Sequence, residues 1–428
     1  MEDAVSRAES PDYLIVGGGM TADAAVRGIR SEDPKGTILL LSAESHPPYD
    51  RPPLSKGLWT GDDEERIWRG TEDVGARVRT GCRAVSLDRE RRRVATGDGD
   101  ALKYRRLLLA TGARPRLLEG SAADQVIHYR TLDDFRALRT RLRAGGRLAL
   151  VGGGFIGCEL AGTLAQASHS DDADLEIHLT YPESLPLERS LPAPFGELLA
   201  RHLRDAGVRL HPGRLVTEVT GEPDNLSLQW ERAGGTAQSR PSAGNDETAS
   251  SPAGVDGNFR TVVAGLGVEP RVELAGEAGL EVADGIVVDR TLRTIDPRIF
   301  AAGDVASFPI SFVGGRHRVE HEEHANASGM TAGRAMAGAE VDYDPLPYVY
   351  SGIGPLTLEL LGLPSPDHQV EVTAPDAPEG RGLAVFRHQG RTTGALVWNR
   401  PGRAHRIRKR LRTDTEPPTL DELLAILD

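Results

Sequence analysis

The chain has 428 residues, 39% hydrophobic content and a formal net charge of −12, a composition suited to two or three soluble domains with a sizeable core. The acidic balance disfavours unassisted nucleic-acid binding, and no apolar run reaches the roughly 18 residues a membrane-spanning helix needs. Only two cysteines are present, Cys82 and Cys158, and they form no C-x-x-C pair, so dithiol redox chemistry has no residues to run on. The stretch from Met1 to Ser10 is short and acidic with no apolar run, unlike a secretory signal or a transit peptide; a cytoplasmic location is expected.

Tyr13 to Val16 reads as a buried strand that runs into Gly17-Gly18-Gly19-Met20-Thr21-Ala22, and a helix follows. The same design returns where Arg147 to Val151 runs into Gly152-Gly153-Gly154-Phe155-Ile156-Gly157. In each loop the first glycine (Gly17, Gly152) permits a tight turn, and the next (Gly19, Gly154) lets the backbone approach a pyrophosphate. The third small residue (Ala22, Gly157) lets the helix lie close on the sheet. Phosphates then meet free N–H groups and the positive end of a helix dipole. Two such loops in strand-loop-helix context imply two bound dinucleotides.

A dinucleotide site also uses a carboxylate about 20 residues on, for the ribose hydroxyls. Beyond a second strand at Thr37 to Leu41 stands Glu44, and beyond one at Leu175 to Leu179 stands Glu183. Glu183 has no arginine adjacent in sequence to welcome a 2′-phosphate, which favours NADH over NADPH; Arg189 is near enough to reverse that preference.

Between the two loops lies Tyr49-Asp50-Arg51-Pro52-Pro53-Leu54-Ser55-Lys56, proline-rich and carrying two cations. Of the 51 basic residues only Lys35, Lys56, Lys103 and Lys409 are lysine, so a lysine inside this segment points to a need for a compact ammonium. Ala110 to Pro115 and Phe300 to Val305 are strand-to-turn segments, the latter carrying Gly303 and Asp304. Together with Val263 to Pro270, which includes Gly267, with Gly285 to Asp289 and with Arg318 to His321, these segments resemble the two-dinucleotide-binding flavoproteins, specifically the ferredoxin reductase and apoptosis-inducing factor group. The resemblance covers about residues 12 to 428.

The resemblance implies an α/β fold of two Rossmann-like dinucleotide-binding domains, glutathione-reductase-like, followed by a C-terminal α+β domain. An FAD-binding domain takes residues 1–116 and 268–344, an NAD(H)-binding domain takes 117–267, and the last domain takes 345–428. FAD falls to Gly17, Gly19 and Ala22, with Glu44, Gly303 and Asp304, and with Arg51 and Arg116 near its phosphates and ring. NADH falls to Gly152, Gly154, Phe155, Ile156 and Gly157, with Glu183 and Gly267. Lys56 is expected to pair with Glu159 beside flavin N5, where the ammonium stabilises negative charge on reduced flavin and the carboxylate holds both the ammonium and the nicotinamide amide. Glu320 and His321 match positions against the flavin and nicotinamide. Tyr350 stands where the family usually places a tryptophan, and Glu322 replaces the family's second histidine. His321-Glu322-Glu323-His324 is not the H-E-x-x-H zinc pattern, and no metal is expected.

Two regions lie outside these motifs. Residues 231–257, rich in Gly, Ala, Ser, Pro and acids, are expected to form a disordered loop between strands. Arg400, Arg403, Arg406, Arg408, Lys409, Arg410 and Arg412 form a basic stretch that is either a docking surface for an acidic ferredoxin or polyanion, or a solvated helix face. Gly382 to Arg387 and Thr393 to Trp398 alternate as a hairpin around Gln389-Gly390, and Thr419 with Glu422 makes a capping box ahead of a final helix. The expected activity is FAD-dependent oxidation of NADH, with electrons passed to a ferredoxin, a quinone or another small acceptor. The alternative is a redox-switched association protein, forming a redox-dependent homodimer, in which turnover is incidental.

Overall fold

The computed structural model describes residues 10–168, 175–233, 253–365, 367–413 and 418–427. The chain divides into two compact units. The first holds Met1–Arg51, Asp63–Arg114 and Glu269–Val349; the second holds Pro52–Asp62, Pro115–Val268 and Tyr350–Asp428. The segments 117–267 and 345–428 thus fall largely in one unit, together with the short piece that carries Lys56.

The first unit is built on a parallel sheet in the order Ile299–Ala301, Arg106–Leu109, Tyr13–Val16, Ile38–Leu41, Ala76–Arg79. All four residues of Tyr13–Val16 and of Ile38–Leu41 are buried, as strands covered on both faces require. The helix Met20–Glu32 leaves the first glycine loop and packs on the helix Glu322–Ala337. Their approach is close: a Cβ on Gly329 would lie 2.3 Å from the Thr21 carbonyl oxygen, and one on Gly333 would lie 2.1 Å from that of Ala25. An antiparallel sheet of Ala84–Asp88, Arg93–Thr96 and Ala101–Lys103 and a mixed sheet of Val282–Ala283, Gly285–Val287, Ala306–Pro309 and Arg316–Arg318 complete this unit.

The second unit repeats the parallel design in the order Arg209–His211, Leu175–Thr180, Gly146–Val151, Thr261–Ala264, Ile127–His128. Against it packs an antiparallel sheet of Arg214–Glu222, Asn225–Arg232 and Ala253–Phe259, with Val219, Leu228, Phe259, Ala149 and Val262 in the shared core. These strands revise the expected 231–257 loop at both ends. Glu231 pairs with Ala253 and Gln229 with Val255, because ladder hydrogen bonds to a neighbouring strand order a backbone whose side chains alone lack an apolar pattern. Residues 234–252 of that expected loop lie outside the described residues.

A C-terminal antiparallel sheet runs in the order Tyr348–Ile353, Leu356–Gly362, Arg391–Trp398, Gly382–His388, Gln369–Thr373. The hairpin turn at Gln389 and Gly390 has φ of 50° and 77°, the paired positive values of a two-residue type I′ turn. The helix Ala404–Thr413 buries Ala404, Ile407 and Leu411 and turns most of its basic residues outward. In the last helix Thr419 and Glu422 exchange backbone N–H to side-chain oxygen hydrogen bonds of 2.8 and 3.2 Å, a complete capping box. No helix among the described residues is long and apolar enough to cross a membrane.

Candidate functional site

In the first unit the turn after Tyr13–Val16 is forced by Gly17, whose φ is 139° and whose absent Cβ would lie 2.0 Å from the Ala110 carbonyl oxygen. Gly19 caps the helix with no side-chain acceptor on its first N–H groups, and the nearest atom to a Cβ placed there is Arg51 Nη2, 4.0 Å away. The helix N-terminus therefore stays open, with a guanidinium beside it. Arg51 donates from Nη1 to Tyr49 Oη at 3.1 Å and from Nη2 to Glu44 Oε1, and the Tyr49 hydroxyl donates to Glu44 Oε2 at 2.6 Å. Burial opposes the Arg51 charge, but Tyr49, Glu44 and Asp304 outweigh it and hold the pKa above its ordinary value. Glu44 is thus engaged on both oxygens.

Gly303, at φ 74°, leaves only 2.3 Å between a would-be Cβ and Thr21 Oγ1, and its N–H donates to Ser328 Oγ at 3.0 Å. This contact brings the Gly303–Val305 turn, with Asp304, to the start of the first helix. His324 supports it from behind. Its Nδ1 lies 2.8 Å from Tyr343 Oη, its Nε2 lies 3.3 Å from the Gly303 oxygen, and its ring stacks on Phe308. Burial lowers its pKa to about 4, so the neutral ring accepts from Tyr343 and donates to Gly303. His321 caps the helix Glu322–Ala337 half-buried, its pKa also lowered to about 4 by burial. Glu320 is exposed and accepts from Arg318.

In the second unit Gly152, at φ 115°, turns where a Cβ would lie 2.3 Å from the Gly265 oxygen, and Gly157 approaches the Gly152 oxygen to 2.0 Å by the same measure. Gly154 has no atom within 4 Å of such a Cβ; with half-buried Phe155 and exposed Ile156 it forms an open lip at the helix Phe155–Ser168. The Arg116 N–H donates to the Gly267 oxygen at 3.0 Å, which brings two expected site residues together, with the Arg116 side chain exposed. Glu183 does have an arginine beside it: Arg189 Nε lies 2.9 Å from Glu183 Oε1, and the Arg189 side chain is 82% exposed. Arg189 is the arginine that the sequence places near enough to reverse the NADH preference, and it meets Glu183 because the loop folds back. The Leu187 N–H donates to the Gly153 oxygen at 2.8 Å, and Glu188 Oε2 accepts from the N–H groups of Ser184 and Leu185.

The same unit brings Lys56 and Glu159 together, with Nζ 2.7 Å from Oε2. Lys56 stands between the 3-10 turns Pro52–Ser55 and Gly57–Trp59, which are braced by the Trp59 indole N–H and the Tyr129 hydroxyl, both donating to the Leu54 oxygen. Glu159, one turn into the helix after the second glycine loop, is buried. Two hydroxyls that no sequence motif singles out also donate to it: Ser55 Oγ to Oε2 at 2.5 Å and Ser351 Oγ to Oε1 at 2.6 Å. Tyr350, beside Ser351, is 48% exposed. Cys158 is buried with its Sγ toward the Gly153 oxygen, and Cys82 is buried in the first unit; both are free thiols.

A glycine turn that leads into a helix in each unit, with Arg51 beside the first and an ammonium on a buried carboxylate in the second, suits two dinucleotides. Comparison with known proteins agrees. The ferredoxin–NAD(+) reductase component of the anthranilate 1,2-dioxygenase system of Burkholderia cepacia is 34% identical over 360 residues, 82% of each chain. Mitochondrial apoptosis-inducing factor 1 of Dictyostelium discoideum is 31% identical over 79% of this chain and 64% of its own length. A chain of the covalent putidaredoxin reductase–putidaredoxin complex superposes with a TM-score of 0.82 at 27% identity, covering 98% of this chain and 96% of that one. The pattern of the pyridine nucleotide-disulphide oxidoreductase family matches residues 11–330, and the chain belongs to that family, whose cofactors are FAD and a pyridine nucleotide.

Proposed function

We propose that the protein oxidises NADH and passes the electrons to a ferredoxin-type carrier, without a redox-active disulfide. The observation that carries this reading is the Lys56–Glu159 ion pair, whose buried carboxylate stands on the helix of the second glycine loop. FAD, when bound, supplies the chemistry that accepts a hydride and releases electrons one at a time. Arg51, anchored by Glu44 and Tyr49, faces the first phosphate cradle; Asp304 serves the ribityl chain. Lys56 holds a fixed positive charge beside flavin N5, where negative charge accumulates, and Glu159 aims it. Gly154 and the helix it opens receive the nicotinamide nucleotide, and Glu183 takes the adenosine ribose hydroxyls. His321 and Tyr350 contact the flavin and nicotinamide rings.

NADH is preferred over NADPH in this reading, since Glu183 repels a 2′-phosphate. Arg189 softens that preference, because its exposed guanidinium can leave Glu183 and meet the phosphate. The ferredoxin reductase relatives supply the acceptor class, and the basic helix Ala404–Thr413, on a chain of net charge −12, offers an acidic carrier a local positive face.

Anaerobic stopped-flow mixing with NADH, followed by mixing with a 2Fe-2S ferredoxin, tests the proposal. Rapid flavin bleaching and rapid reoxidation by the carrier are expected. A long-lived reduced complex that the carrier does not reoxidise, accompanied by a change in oligomeric mass, would instead favour a redox-switched association protein of the apoptosis-inducing factor kind.

A further inference from the structure

Glu159 is 4% exposed, and a buried carboxylate facing one ammonium still has lone pairs to satisfy. Three donors from two chain segments meet it. Lys56 and Ser55, from the proline-rich turn, both address Oε2, and Ser351, from the C-terminal sheet, addresses Oε1. The two oxygens are therefore held from opposite sides, and the hydroxyl on Oε1 fixes the rotation of the carboxylate that presents Oε2 to the ammonium.

The strand carrying Ser351 is shaped for this contact. Alternation buries Ser351 and Ile353 and leaves Tyr350 exposed, so the inward side of the strand meets the Glu159 helix. One turn beyond Glu159, a Cβ on Gly162 would come within 2.8 Å of Ile353 Cγ2 and 3.0 Å of the Gly354 nitrogen. Glycine at this position lets the helix and strand approach until a serine, the shortest hydroxyl side chain, spans the gap to Oε1. Ser351 is itself 0% exposed, so water cannot readily replace it.

We propose that Ser351 is a positioning residue for hydride transfer: it locks the Glu159 carboxylate so that Lys56 stays aimed at the flavin. The proposal rests on the assignment of Lys56 to the flavin made above. It gives the C-terminal sheet a direct part in flavin reduction, beyond the exposed Tyr350.

The test uses FAD-loaded full-length protein and two readouts, the midpoint potential of the bound flavin and the limiting rate constant of anaerobic reduction by NADH. Losing a hydrogen bond to a charged group should lower that rate constant about 10-fold in Ser351→Ala. The potential should move negative, in the direction given by Lys56→Ala, and the NADH dissociation constant should change less than the rate constant. Ser351→Thr, which keeps the hydroxyl, should recover most of the loss. In a Glu159→Gln background, Ser351→Ala should add little, since the two residues act as one unit. An unchanged potential and rate constant in Ser351→Ala, or full additivity with Glu159→Gln, would overturn the proposal. If the alanine variant does not fold, Ser351→Cys, similar in size with a weak donor, takes its place with the same expected loss. Lys56→Ala with unaltered potential and reduction would overturn the flavin assignment itself, a separate result.

Discussion

The two glycine loops share a backbone design and differ in what surrounds it. At the first, the cation is anchored: Arg51 is held by Glu44 and Tyr49 and lies toward Gly19. At the second, the space at Gly154 is open, and the arginine on Glu183 is Arg189, 82% exposed. A fixed guanidinium loses little entropy on meeting a phosphate, whereas a solvated one must be ordered at each binding event. The first arrangement suits a resident cofactor, the second a nucleotide that comes and goes.

The sharpest way to break this comparison is to fill the loops. Gly17→Ala combines a positive φ with a Cβ 2.0 Å from the Ala110 oxygen, and is expected to abolish soluble, FAD-loaded protein; yellow protein with an unchanged melting temperature would refute it. Gly154→Ala meets no atom within 4 Å, so stability should change by no more than about 0.5 kcal/mol, while NADH affinity falls because the nucleotide loses its close backbone approach. A melting curve and an NADH titration check both halves.

Removing the cations should give a smaller contrast. Arg51→Ala is expected to weaken FAD retention about 10- to 100-fold through loss of a charge-assisted contact, measured by the concentration at which flavin fluorescence is released. Arg189→Ala should leave FAD in place and raise the NADH-over-NADPH preference only about 3-fold, in line with an exposed side chain. Equal effects on FAD from both variants would erase the distinction between anchored and mobile cations.

Acid gives the smallest and most graded effect. The imidazoles of His324 and His321 have pKa values lowered from 6.5 to about 4, so between those values the unfolded chain binds protons that the folded chain does not. Stability contributed by the neutral rings is therefore present above about pH 6.5 and is lost as pH falls toward 4. Because His324 braces Gly303, FAD release should accompany the drop in melting temperature. His324→Phe, which stacks on Phe308 without titrating, should flatten the dependence; an unchanged slope would show that other groups control it.

Much of this was written locally in the sequence. Strand, glycine turn and helix start at Tyr13 to Ala22 and at Arg147 to Gly157 follow from short-range sterics, as do the Gln389-Gly390 turn and the Thr419–Glu422 cap. Lys56 and Glu159 were paired only through resemblance, since 103 positions separate them and no spacing rule joins a proline-rich turn to a distant helix. Arg189 was legible as an arginine near Glu183, but their contact depends on a loop that returns to Gly153.

What the sequence determined by itself is the pair of glycine turns, since a backbone that needs positive φ and close approach at Gly17 and Gly152 accepts almost nothing but glycine. The folded chain alone decided how the charged groups between them are held. Ser351 reaches Glu159 across 192 residues, and Arg51 is fixed by Glu44 and Tyr49, because hydrogen bonds at buried carboxylates depend on packing in three dimensions and leave no periodic trace along the chain.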